Sequence, residues 1–194
     1  MAAAGKVLTG FSLPYVALYT ISSGNVVYTT GQKLARGVSV SLDPTTGDDN
    51  KFYADNILAE TATGVFTGGS VTLTVDGLFD TAEKLILGLP SADANDWYHY
   101  GDSMSVPYVG IGFVCRYQSD GVSSYTPIVL TKARFQTPSL SANTQEEELE
   151  WQTQELTATL LRDDTSNHDW KVMGEPQTSE ALAESMIKTF LSIS

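Results

Sequence analysis

One cysteine, two histidines and 11 basic residues are few for a chain of 194. A single thiol excludes any disulfide within the chain, and Cys115, set in the apolar run VGIGFVCRYQ, reads as a buried strand residue rather than a nucleophile. The 11 cations face 23 acids, a formal charge of -12, which leaves too few positive groups for a static grip on a row of phosphates. No run approaches the roughly 18 apolar residues of a membrane span. The opening MAAAGKVLTGFSLPYVALYTISSG is broken by Thr9, Gly10, Ser12 and Pro14, so an export signal is not expected there.

The charge is unevenly placed. Residues 1–42 hold Lys6, Lys33 and Arg36 and no acid, so all 23 acids follow them, against 8 bases. Such a surface lets a polyanion slide past without sticking, and the basic start is complementary to an acidic neighbour in an assembly. With 42% apolar and 18% charged residues the chain can bury a sizeable core, and no linker divides it, so one domain over 1–194 is expected.

Most segments alternate with a period of two. SVTLTVDGLF sets Val71, Leu73 and Val75 against Ser70, Thr72 and Thr74, as in a half-buried strand, and Gly68-Gly69 predicts a tight connection from an antiparallel neighbour in ILAETATGVF. Asp120-Gly121, between SVPYVGIGFVCRY and YTPIVLTKARF, predicts a hairpin. EEELEWQTQELTATLLRDD reads as a strand with a bulge near Gln154–Leu156, the rival being an amphipathic helix over 146–161.

Two stretches have helical spacing. DTAEKLILG begins with Asp80 and Glu83 at capping-box distance and stops at Gly88. TSEALAESMIKTFLSI, over 178–193, repeats Leu182, Met186, Phe190 and Ile193, widened by Ile187 and Leu191, with Thr178 or Ser179 as cap. Residues 41–50 and 89–103 read as long loops of the kind used for interaction.

Chemistry has no specific signal. Asp93, Asp96, His99 and Asp102 are spaced by threes, but in a glycine-containing stretch with no second histidine near, so a solvated or intersubunit loop is the better reading than a metal site; Trp97, Tyr98 and Tyr100 fit a contact. RDDTSNHDW lacks the glycine and glutamate of a calcium loop and reads as a polar hairpin turn. TGVFTGG lacks the lysine of a phosphate-binding loop, and GIG at 110–112 lies in a strand-like run. Acid pairs such as Asp48 with Asp49 or Glu146 with Glu147 are no indication of acid–base work without geometry. The chain is therefore expected not to be an enzyme and to need no metal or cofactor. KFYADNILAE offers Asp55 and Asn56 either as ligands or as a turn, and the turn is favoured, with Tyr53 the better contact candidate.

Order and spacing add a resemblance. LPYVALYT, TTGQKLARGVSVSLDPTT, KFYADNILAE, GGSVTLTVDGLFDTAEKLILG, SVPYVGIGFVCRY, YTPIVLTKARFQTPSLSANTQ and WQTQELTATL, with DWKV beyond, span most of residues 10–173. Together they resemble the major tail proteins, or tail tube subunits, of long-tailed bacteriophages, in particular the phi13-type family. The resemblance implies a mainly β fold, a tail-tube-type β-sandwich or barrel with a short flanking α-helix, long loops and a C-terminal helix. It further implies hexameric rings stacked into the virion's tail tube, a conduit for DNA, with the tail terminator, tape measure and distal tail proteins as partners and synthesis in the host cytoplasm. Tyr53, Asp55, Asn56, Trp97, Tyr98 and Tyr100 then become structural or intersubunit contacts. A β-rich head–tail connector or shell protein is the alternative, separable by rings that do not stack, and a ligand-binding β-sandwich is the weaker one, suggested by Trp97 and Tyr100.

Overall fold

A computed structural model describes residues 5–144 and 151–193. Strands β1 (Val7–Ser22), β2 (Asn25–Lys33) and β3 (Gly37–Thr46) come first, then a short pair, β4 (Asn50–Ala54) and β5 (Ile57–Ala62). After β6 (Phe66–Val75) comes helix α1 (Asp80–Leu87), then β7 (Val109–Ser119), β8 (Val122–Phe135), β9 (Gln154–Leu161), β10 (Lys171–Met173) and helix α2 (Glu180–Phe190). The fold is dominated by strands, in two sheets, with two short helices.

The main sheet runs β2-β1-β7-β8-β9-β6-β3, with β10 on β8, and all its ladders are antiparallel. It curls until β3 lies beside the first half of β1: a Cβ at Gly37 would stand 2.3 Å from the Phe11 ring. No ladder joins β3 to β1 among the described residues, so the sheet is curled rather than closed. A bulge between Ser12 and Tyr15, with Leu13 at φ 52, shifts the phase of β1, so that both Phe11 and Val16 face the concave side.

The alternation in β6 is realised: Val71, Leu73 and Val75 are fully buried on the concave side, facing Leu156, Ala158 and Leu160 of β9 and closed over by Ala82, Ile86 and Leu87 of α1. Each of the valine, leucine and isoleucine side chains contributes about 1.5–3 kcal/mol relative to exposure. The Asp120-Gly121 turn is also realised, both residues at positive φ between the paired Ser119 and Val122.

The run VGIGFVC is apolar on both faces because both are covered. Val109, Ile111, Phe113 and Cys115 face the concave core, while Gly110, Gly112 and Val114 seat α2 on the convex side. A Cβ at Gly112 would meet Ile187 Cγ2 at 2.4 Å. GIG is thus a berth for a helix and has no phosphate-binding geometry.

Several expectations are corrected. Gly68 and Gly69 lie inside β6, opposite Thr45 and Pro44, where a Cβ at Gly69 would come 2.7 Å from the Asp43 carbonyl oxygen. The neighbours of β6 are β3 and β9; β5 pairs with β4 instead. Residues 41–46 belong to β3, at the sheet's end, where Pro44 removes no needed donor, so only the last part of 41–50 is loop. No bulge interrupts β9, whose register with β6 is unbroken from Gln154 to Leu160, whereas Glu146, Glu147 and Leu149 lie outside the described residues.

Helix α1 starts as its pattern predicts but is capped by Phe79 without a side-chain bond, so Asp80 and Glu83 act as first-turn acids near the helix's positive end. In α2, Ser179 is the cap, its hydroxyl accepting the Leu182 N–H at 3.4 Å. Of the expected face, Ile187 and Leu191 are fully buried, but the stripe is centred on them, one position on from Leu182, Met186 and Phe190. Ala183, Ile187 and Leu191 are buried, while Leu182, Met186 and Phe190 are 51, 39 and 40% exposed. The rotation follows from Glu180 and Glu184, whose carboxylates accept the hydroxyls of Ser12 and Tyr15 and so fix which side of the helix meets β1.

RDDTSNHDW is no hairpin. β9 and β10 pair with the same side of β8, and 162–170 is an excursion between them, tied back where the Thr131 amide and hydroxyl donate to the carbonyls of Trp170 and Asp169.

Candidate functional site

The β4–β5 hairpin forms a sheet of its own. Its neck is narrow: Gly47 N–H donates to the Val65 carbonyl at 2.9 Å, the Gly64 N–H to Asp49 Oδ1 at 3.0 Å, and a Cβ at Gly64 would fall 1.8 Å from the Gly47 carbonyl oxygen. Asp55 and Asn56 are the two central residues of its turn, at φ 51 and 64, between the paired Ala54 and Ile57. Short polar side chains tolerate this left-handed backbone, and a turn of this hand matches the twist of the flanking strands. Their place explains both residues without a ligand.

The hairpin's surface is unusual. Phe52, Tyr53, Ile57 and Leu58 are 63, 60, 70 and 47% exposed, and Val65 at the neck 66%. A two-stranded hairpin is marginal in water, and apolar side chains clustered on one are characteristic of a contact surface. The pattern was legible in KFYADNIL as apolar pairs flanking a turn; Phe52, Ile57 and Leu58 nevertheless read as ordinary strand residues, since nothing in the sequence tells whether another sheet covers them.

Loop 89–103 is organised from within. Asp93 Oδ1 accepts the amides of Asn95 and Trp97 at 2.8 and 3.0 Å, and its Oδ2 lies 3.1 Å from His99 Nε2. The Trp97 amide first, then His99 and the Asn95 amide, hold the Asp93 carboxyl below its ordinary range. Lys84 donates to the Tyr98 hydroxyl at 2.8 Å, and the Tyr100 hydroxyl donates to Glu83 at 2.9 Å, latching the loop onto α1. Trp97 stays 69% exposed. Because the folded carboxyl is depressed, its contribution is present above the unfolded value near 3.9 and is lost as pH falls through the lower folded value. Protection of the Asn95 and Trp97 amides, taken relative to the intrinsic exchange rate at each pH, is therefore expected to fall as the pH drops below about 4, and to be lower in Asp93→Ala than in the parent above that pH; equal protection in the variant and the parent would refute this role.

The convex side of β3, β6 and β9 is a grid of short polar groups. Ser39, Thr74 and Glu155 form one row, Ser41, Thr72 and Thr157 the next, and Asp43, Ser70 and Thr159 the third. The Ser39 hydroxyl donates to Thr74 at 2.9 Å. The nine positions carry two acids and no base.

Groups with reactive potential are otherwise engaged. The Cys115 thiol is buried and pushed up by desolvation, opposite to what a nucleophile needs. Tyr19 donates to Asp164 at 2.7 Å, Lys132 to the same oxygen at 2.6 Å, and burial, then the Asp164 bond, raise the Tyr19 phenol to about 12. The His168 ring forms one hydrogen bond among the described residues, its Nδ1 lying 3.3 Å from the Asp163 carbonyl oxygen. Among the described residues no group of three or more His, Cys, Asp or Glu is placed to hold a metal, and no helix is long and apolar enough to cross a membrane. Compared with known proteins, the chain matches no family model and no curated sequence.

Proposed function

We propose that the chain is the subunit of a polymeric tube, the tail tube of a long-tailed bacteriophage, built from stacked hexameric rings that conduct DNA. The observation that carries this reading is the β4–β5 hairpin, a free-standing sheet with Phe52, Tyr53, Ile57 and Leu58 turned to solvent. Such an element leaves its apolar side chains uncovered in the free chain and is suited to contact with a neighbouring copy. Two further features support it. Among the described residues the main sheet ends in β2 and β3, and no strand pairs with the outer edge of either, which leaves backbone groups there for another chain. The nine positions of the hydroxyl-rich grid on β3, β6 and β9 carry no cation, with Arg134 of β8 at its border beside Thr159, and in this reading it is the face turned to the lumen, where DNA slides past.

Six-fold symmetry, the tail-tube type of the curled sheet, the virion location and the terminator, tape measure and distal tail partners come from the resemblance of the segments between residues 10 and 173. Tyr53 and Trp97 are the exposed aromatic contacts in this reading, Asp55 and Asn56 shape the hairpin tip, and Tyr98 and Tyr100 anchor the loop that presents Trp97.

Negative-stain microscopy of the purified chain over rising concentration tests the proposal. Hollow stacked rings are the expected result. Rings that never stack favour a connector or shell protein, and monomers persisting at high concentration overturn the reading.

A further inference from the structure

Between β2, the 162–170 excursion and the end of α2 lies a cleft of about 440 Å³, lined by Val26, Val27, Tyr28, Asp163, Thr165 and Phe190. Its most informative residue is Asp163, a carboxylate only 6% exposed. Oδ1 accepts the Thr165 hydroxyl at 2.7 Å and the Thr165 amide at 3.2 Å. Oδ2 receives no hydrogen bond from any described residue, yet it is not sealed in, since no buried side-chain oxygen among them lacks a partner. It therefore keeps some accessible surface, on a residue that lines the cleft.

Among the described residues no basic side chain forms an ion pair with Asp163, and the His168 ring meets its backbone carbonyl rather than its carboxylate. Lys132, the basic group of this region, is committed to Asp164 at 2.6 Å and lies over the rings of Tyr19 and Tyr108. An ammonium or guanidinium head placed on Oδ2 would add a charge-assisted hydrogen bond to the two that Oδ1 already accepts. The other walls define the rest of that ligand. Tyr28 directs its hydroxyl away, donating to the Thr131 carbonyl at 2.8 Å, and its ring and that of Phe190 stand 5.8 Å apart at 41°. Burial and then the negative charge of Asp163 raise the Tyr28 phenol, which keeps this wall neutral. Two aromatic rings and two valines suit an alkyl stem, and ring faces attract a cation as well.

The geometry points to a binding site for an alkylammonium or alkylguanidinium group, its head on Asp163 Oδ2 and its stem against Tyr28, Phe190 and the valines. This holds whether or not the chain builds a tube. The group has two sources, a free small cation or a lysine or arginine side chain of a second copy.

Titration of the full chain with n-butylammonium and n-butylguanidinium, followed by NMR shifts of the Val26 and Val27 methyls, tests the site, with 1-butanol as the neutral comparison. Saturable binding of both cations is expected, weakened about tenfold in Asp163→Asn, which keeps an oxygen for Thr165 but loses the charge. Phe190→Ala, at a partly exposed side chain, should weaken it about threefold or more without touching the carboxylate. Equal binding of 1-butanol, or undiminished binding by an Asp163→Asn protein with the parent's melting temperature, would overturn the site. If that variant melts early, the Phe190→Ala arm decides in its place, unchanged affinity there overturning the aromatic stem site. Once the cation binds, sedimentation assigns the source: self-association lowered by butylammonium and by Asp163→Asn identifies a second copy's side chain, and unaltered association identifies a free cation.

Discussion

Valine at Gly112 is expected to lift α2 from the sheet and lower stability by about 2–3 kcal/mol, the upper part of the range for overpacking a filled core. The first atom of any side chain there would lie 2.4 Å from Ile187 Cγ2 and 3.1 Å from Leu191 Cδ1, both on residues with no exposed surface. The sheet cannot yield, because Ile111 and Phe113, on either side of Gly112, are fully buried on its other face. Strand propensity works the other way, since valine is the better strand former, so a loss of stability isolates the packing effect. Gly10 supplies the control. It lies in an adjacent strand, and its Cβ would meet only Arg116 Cβ at 3.6 Å, an ordinary contact, so Gly10→Ala should be neutral or slightly stabilising. Urea unfolding of Gly112→Val, Ile187→Ala and the double variant checks the mechanism. The pair should be less destabilised than the sum of its members, because removing Ile187 makes room for the valine. Strict additivity, or a Gly112→Val protein as stable as the parent, would refute the account.

Gly112 also shows where sequence reading reaches its limit. Local patterns were legible wherever one residue type answers one local demand: the alternation of Ser70–Val75, the left-handed pair Asp120-Gly121, and the helical period and stop of 80–88 all appear where expected. Pairing between distant segments was not legible. Gly68 and Gly69 have the composition of a turn, and only the backbone of β3 passing within 2.7 Å of a Cβ at Gly69 explains them as strand residues. The centre of the stripe in α2 was misplaced for a similar reason, although Ile187 and Leu191 were placed on it correctly. Leu182, Met186 and Phe190 are as apolar as Ala183, Ile187 and Leu191, and the choice between the rows is made by partners far away in sequence, the glycines of β7 and the hydroxyls of Ser12 and Tyr15. The cation site was beyond reach altogether. Its carboxylate lies in a stretch that looks like a solvated turn, and its apolar walls come from β2 and from the other end of the chain.

If the chain assembles through the β4–β5 hairpin as proposed, charge placed on the hairpin is expected to abolish assembly while leaving the monomer intact. In the double variant Ile57→Lys and Leu58→Lys, two of the most apolar exposed side chains become cations, at 70 and 47% exposure in the free chain. Their monomer cost is small, since both already face water and β4 and β5 form a sheet apart from the main one. In an assembly these side chains would be covered by a neighbour, and burying a lysine without a partner is far costlier than losing the apolar contact. If each position acts as an interface anchor worth about 2 kcal/mol, each raises the concentration needed for assembly about thirtyfold, and the pair carries it beyond practical reach. Thermal melting of the dilute chain and microscopy at high concentration separate the two effects. An unchanged melt with no rings or tubes is expected. Tubes growing at the parent's concentration would remove the hairpin from the interface and, with it, the observation on which the tube reading rests. A lowered melt would show instead that Ile57 and Leu58 support the monomer, contrary to the independence of the small sheet. The turn offers a further check: Asp55 and Asn56 both hold positive φ, so alanine at both should loosen the tip and weaken assembly by a smaller factor than the lysines do.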